Sequence, residues 1–111
     1  MNILYINHYA GGPVYGMEYR CWYLAREWVR AGHSVTIVGA SHSHVRAKQP
    51  SMNGRFTREV VDGVSFVWCQ TPAYRGNGVG RVLNIVAFLR RLGQWRQWLD
   101  MRPDVVIASS T

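Results

Sequence analysis

Asn2-Ile-Leu-Tyr-Ile-Asn7, then His8-Tyr-Ala-Gly-Gly-Pro-Val-Tyr-Gly16, then an amphipathic run from Met17 is the stretch that decides the fold. The first segment is a near-continuous apolar run of strand length, the pattern of a strand covered on both faces. Three glycines and Pro13 make the second a loop. The spacing of Met17, Cys21, Leu24, Ala25 and Trp28 predicts a helix over 17–31 with one buried face. Glu18 in its first turn and Arg30 in its last would complement the helix dipole, and Gly32 would stop it. A strand, a glycine turn and a helix N-terminus in this order can present backbone N–H groups to an anion.

Working outward, 34–40 reads as a second strand centred on Val-Thr-Ile-Val, which completes a βαβ unit with parallel strands. Residues 41–56 form a polar, basic loop. Two β-branched runs, 57–61 and 64–70, flank Asp62-Gly63, a strong hairpin signal. After a loop at 71–80, the pattern Val82, Ile85, Val86, Leu89, Leu92 and Leu99 predicts one long helix over 81–101 with those side chains inward. Pro103 ends it, and 104–109 reads as a buried strand. The fold expected is α/β: a Rossmann-like three-layer sandwich with a parallel core sheet and a β-hairpin insertion. Because Ser109-Ser110-Thr111 follows that strand with no covering helix, residues 1–111 read as one domain, the first part of a larger α/β protein.

The chain has 48% hydrophobic and 17% charged residues, which fits a globular protein and excludes a disordered one. No apolar run reaches bilayer-spanning length, and no basic segment precedes Ile3 as in a signal peptide. Both observations point to the cytoplasm. Cys21 and Cys69 share no metal spacing and read as buried thiols. The net charge is +7, and among the 13 basic residues only Lys48 is lysine. Arginine favours an anionic partner such as a nucleotide or a phospholipid surface, although arginine-rich composition alone gives the same balance. No nucleic-acid-binding motif accompanies the charge.

The candidate site gathers at the C-terminal edge of the sheet. Gly11, Gly12 and Gly16 suit close approach to a diphosphate, with a plain βα turn as the alternative. Their spacing is not G-x-G-x-x-G, no acidic residue closes the second strand, and no G-K-[ST] follows, so nicotinamide and P-loop chemistry are disfavoured. His8 could act as an acid, base or donor, or simply be a satisfied loop histidine. Arg20 could pair with phosphate or carboxylate and Glu18 with sugar hydroxyls. His42, His44 and Arg46 follow the second strand. An H-x-H pair alone does not make a metal site, so a polar acceptor surface is expected. Arg91, Trp95 and Trp98, with rings at a polar margin, suit a membrane interface or packing against another part of the protein.

Gly16-Met-Glu-Tyr-Arg20, Leu24-Ala-Arg-Glu-Trp28, Ala31-Gly-His33 and Val35-Thr-Ile-Val38, with the hairpin at Asp62-Gly63 and Pro103-Asp104-Val-Val-Ile107, resemble the N-terminal domain of family 4 GT-B glycosyltransferases. The likeness is closest to bacterial members that build surface polysaccharides such as O-antigen and colanic acid. It implies a retaining enzyme that uses a nucleotide sugar as substrate, with no cofactor and no metal. The acceptor would be lipid-linked or a glycan, and a C-terminal domain across a cleft would hold the donor. It places Gly11, Gly12 and Gly16 near the donor diphosphate. His8, Glu18, Arg20, His42, His44, Arg46, Ser109 and Ser110 would line the acceptor side. The residues from 1 to 111 alone are then expected to be inactive, and the enzyme to lie at the inner membrane leaflet. The competing reading is a basic, non-catalytic module for a membrane surface or another anion. A nicotinamide oxidoreductase or epimerase domain is a weaker third.

Overall fold

The computed structural model describes residues 1–13, 15–16, 19–42, 49–52, 54–73 and 78–109. In chain order the elements are β1 (Asn2–Asn7), α1 (Arg20–Arg30), β2 (Ser34–Ala40), β3 (Phe56–Val61), β4 (Val64–Cys69), α2 (Val79–Gly93), α3 (Trp95–Trp98) and β5 (Val105–Ser109). They build one sheet in the order β3-β4-β2-β1-β5. β4, β2, β1 and β5 run parallel, and β3 pairs antiparallel with β4. The chain therefore winds outward from β1 through β2 to β4, then crosses back to place β5 on the other side of β1. That reversal makes the β1–β5 boundary a topological switch point, and ligands of open α/β sheets bind outside the strand C-termini at such a point.

Alternation along the strands feeds two cores. Ile3, Tyr5, Val35, Ile37, Phe66 and Trp68 meet Cys21, Trp22 and Ala25 of α1 on one face. Leu4, Val38, Val67 and Cys69 meet Phe88 of α2 and Trp98 of α3 on the other. This is the expected three-layer sandwich. The hairpin turn is also as expected: Asp62 has φ 49° and Gly63 φ 81°, the left-handed pair of a tight two-residue connection. α1 ends as expected too. Gly32, at φ 96°, donates to Val29 O at 3.0 Å, and His33 donates to Trp28 O at 3.1 Å, closing its last carbonyls.

Several expectations are corrected. α1 begins at Arg20, and its first turn carries no acidic residue. Met17 and Glu18 lie outside the described residues. Its inward face is Cys21, Trp22 and Ala25, while Leu24 is exposed. The Trp22 ring takes the inner place and lies against Gly12, whose Cβ position is 3.6 Å from the indole, an ordinary contact distance.

The long helix expected over 81–101 is two. α2 stops at Gly93, and Gln94 at φ −88°, ψ 33° turns the chain into α3. The Arg91 carbonyl accepts the Gln94 amide and the Trp98 indole N–H, both at 3.1 Å, so Trp98 folds back under the helix. It is 3% exposed, a core residue and not a surface one. The stripe expected to face inward points outward: Val82, Ile85, Val86 and Leu89 are exposed, and α2 buries Asn84 and Phe88 instead. β5 is half-exposed on the sheet edge, not the buried strand expected, with Val105 and Val106 open to solvent.

Cys21 and Cys69 are buried free thiols, as expected. Burial pushes the Cys69 thiol up to about 12, against the smaller opposing pull of the Arg91 charge. The folded thiol therefore holds its proton above the pH at which an unfolded one loses it. The stability carried by the neutral thiol is complete below about pH 9 and falls, by up to ~1.4 kcal/mol per unit, as pH rises toward 12. Native protein at pH 8 is expected to leave Cys69 unalkylated by iodoacetamide while urea-unfolded protein reacts; rapid native labelling would contradict its burial.

Candidate functional site

At the C-terminal edge, Asn7 ends β1 and turns the chain. Its Oδ1 accepts the Tyr9 amide at 3.0 Å and its carbonyl accepts the Ala10 amide at 3.1 Å. This turn puts His8 and Tyr9 over the end of the sheet. β2 ends into Ser41 and His42, and β4 into Gln70, Thr71 and Pro72. Ser41 binds Thr71 reciprocally: the Thr71 amide donates to Ser41 Oγ at 2.9 Å, and Ser41 Oγ lies 3.2 Å from the Thr71 carbonyl.

Asn84 of α2, 0% exposed, sits at the centre of this edge. Its Nδ2 donates to Pro72 O at 2.7 Å, Thr71 Oγ1 at 3.0 Å and His42 O at 3.3 Å. Its Oδ1 faces Nε2 of His8. One buried amide thus ties together the segments that follow β1, β2 and β4. A buried polar network pays off only when each member is satisfied, and here the amide uses donors and acceptor alike.

Beside this network a crevice of about 440 Å³ opens between β1, β5 and α2, at the switch point. Ile6, Ile85, Phe88, Leu89 and Leu92 make an apolar wall, and His8, Tyr9 and Ser109 bring the polar atoms. The His8 ring stands edge-on to Tyr9 and Phe88, with centroids at 4.6 and 5.1 Å. Arg81 donates to Tyr9 Oη at 2.6 Å and lies over its ring. The Ser109 hydroxyl donates to Tyr5 Oη at 3.1 Å.

The glycine loop differs from expectation. The Gly12 amide donates to Gly16 O at 2.9 Å and the Gly16 amide to Gly12 O at 2.8 Å, so the loop closes on itself as a small antiparallel bridge. Gly11 and Gly12 are buried. The amides of Gly12 and Gly16 are thus spent inside the loop and not aimed at a diphosphate. Tyr15 anchors the loop by donating to Glu59 Oε1 at 2.6 Å, an oxygen that also takes the Trp68 indole N–H at 2.8 Å.

Of the other expected residues, Arg20 is exposed at the start of α1. His42 joins the edge through its backbone, with its amide donating to Thr71 Oγ1 at 3.3 Å. Glu18, His44, Arg46 and Ser110 lie outside the described residues. Arg91 is half-buried, its Nε donating to Gln70 O at 3.3 Å, and Trp95 is exposed. Trp95 borders a separate hollow with Leu99, Met101 and Pro103, away from the crevice residues. Among the described residues no three His, Cys, Asp or Glu side chains come together as metal ligands. None of the described helices is long and apolar enough to cross a membrane.

Asn84, Thr71, Ser41, Tyr9 and Arg81 were not anticipated. Ser41 and Thr71 carried a signal, since each is a hydroxyl just beyond a strand at the ligand-binding edge. Asn84 carried a weaker one, a lone amide inside an apolar helical run.

A family model described as a glycosyl transferase 4-like domain matches residues 15–111. No curated protein matches the chain.

Proposed function

Because this chain belongs to the glycosyl transferase 4-like family, we propose that its β1–β5 crevice is the acceptor side of a sugar-transfer site. Transferases of this kind join a nucleotide-activated sugar to an acceptor hydroxyl. The carrying observation is the pairing, at the switch point, of the apolar wall Ile6, Ile85, Phe88, Leu89 and Leu92 with a polar end of His8, Tyr9 and Ser109. That arrangement suits an acceptor with a hydrocarbon part and a hydroxylated or phosphorylated head, such as a lipid-linked glycan of bacterial surface-polysaccharide assembly. The donor nucleotide would face the crevice from a second domain. The nicotinamide reading loses ground, because β2 leads into Ser41 and His42 with no carboxylate for a ribose.

The outer stripe of α2 supports peripheral attachment to an anionic membrane. Leu83, Val86 and Ala87 border a hollow of about 560 Å³ together with Arg55, Arg90 and Arg91. This hollow is also the observation that favours a second reading, a non-catalytic module for membrane lipid or another anion. Two measurements separate the readings. Saturation-transfer NMR with a short-chain isoprenyl-diphosphate-linked sugar, a mimic of the acceptor, is expected to show binding. Co-sedimentation with phosphatidylglycerol vesicles is expected to show salt-sensitive attachment. Vesicle binding with no response to the acceptor mimic would favour the module and count against an acceptor site.

A further inference from the structure

We propose that Asn84 is a positioning residue that holds His8 as the tautomer protonated on Nε2, which leaves the buried Nδ1 as the nitrogen at which the ring gains or loses a proton. The argument runs from atoms whose hydrogen-bonding role is fixed. Pro72 O and His42 O are backbone carbonyls and only accept. Both lie on the same end of the Asn84 amide, at 2.7 and 3.3 Å, so that end is the NH₂ group. Thr71 Oγ1, at 3.0 Å, takes the same group. The other end is therefore the amide oxygen, which only accepts, and it faces His8 Nε2. Nε2 must then carry the hydrogen. Two carbonyls in the loops after β2 and β4 thus set the polarity of a histidine after β1.

The packing holds the ring in that orientation. Tyr9 and Phe88 stand edge-on to it at interplanar angles of 85° and 78°. The charged and titratable groups around it among the described residues are these. From α2 comes Arg81, held on Tyr9 Oη; from the loop itself comes Tyr9; β5 supplies Ser109, which does not titrate. No carboxylate lines the crevice among the described residues. In the neutral ring Nδ1 is an acceptor atom and in the imidazolium a donor, while the bond to Asn84 is unchanged in both states. His8 can thus change charge without disturbing the clamp on the strand ends. The tautomer stands independently of the acceptor-site reading.

The test is long-range ¹H–¹⁵N correlation NMR of the imidazoles across a pH series, on the chain without ligand. Expected is a single His8 tautomer above its titration, with Nε2 protonated and Nδ1 unprotonated. Asn84→Asp puts a carboxylate against Nε2 and is expected to raise the His8 pKa by about 1–3 units. A role limited to packing predicts no such rise. Should Asn84→Asp fail to fold, the wild-type tautomer decides alone. A His8 protonated on Nδ1, or averaging between tautomers, would overturn the proposal, as would a folded Asn84→Asp protein whose His8 titrates as in the wild type. Because no sugar nucleotide is present, failure here leaves the glycosyl-transfer reading standing. Loss of that reading likewise leaves the tautomer measurable.

Discussion

Gly39→Ala is expected to destabilise the chain by about 2 kcal/mol, and Gly39→Val by more. Alanine in place of a strand glycine ordinarily stabilises, by roughly 0.5–1 kcal/mol. At Gly39 the space is taken. A Cβ would lie 2.8 Å from Trp68 Cζ3, 3.2 Å from Trp68 Cε3 and 3.0 Å from Ala10 Cβ. Trp68 cannot easily move aside. Its ring stacks on Phe66 at 5.1 Å, meets Tyr15 edge-on at 5.3 Å and donates to Glu59. Ala10 belongs to the turn after His8, so the added methyl would also lift the loop that walls the crevice. Gly93→Ala is the control. It ends α2 with nothing within 4 Å of its Cβ position, and is expected to be neutral or stabilising. Urea denaturation of both variants gives the comparison; a Gly39→Ala protein as stable as the wild type would contradict the close packing of Trp68 and Ala10 against β2.

Asn84→Leu is expected to cost about 3 kcal/mol or more, although leucine has the better helix propensity and the same branched set of side-chain heavy atoms. The substitution leaves Pro72 O and His8 Nε2 without the Asn84 amide, while Thr71 Oγ1 keeps the His42 amide. Each buried polar group stranded in this way costs about 1–3 kcal/mol, less whatever water can recover. The loss should be local as well as global. Amide hydrogen exchange should quicken at Tyr9, His42 and Thr71, while Ile37 and Val38 in the middle of β2 keep their protection relative to global stability. A variant with wild-type stability and exchange would mean that the amide does not hold the three strand ends together.

Legibility followed the physics of each element. β1, β2 and the hairpin were readable because an apolar run and an Asp-Gly turn each have few solutions. α2 was misread because periodicity reveals that a stripe exists and not which stripe meets the sheet. Val82, Ile85, Val86 and Leu89 form the more regular pattern, yet Asn84 and Phe88 face inward. Trp22 and not Leu24 takes the core place on α1, because the α1 face set against the sheet is the one carrying Cys21, Trp22 and Ala25. One continuous helix would put Trp98 outside, and the turn at Gln94 rotates it inward. The site was half legible. Strand-end position pointed to His8, His42 and Ser109. The glycines were read as open amides, whereas a loop of this composition can also fold back and satisfy itself, as Gly12 and Gly16 do. The clamp by Asn84 depends on four segments meeting in space, which no local pattern encodes.

The central claim is that the sugar acceptor binds in the crevice at the carboxyl ends of β1 and β5. Chemical-shift mapping of the chain titrated with a short-chain isoprenyl-diphosphate-linked sugar tests it most directly. The account predicts that this acceptor mimic shifts His8, Tyr9, Ile85, Leu89 and Ser109 together. Shifts clustered instead at the opposite edge, around His33, Gly63 and Asp104, or no shifts at all, would contradict it.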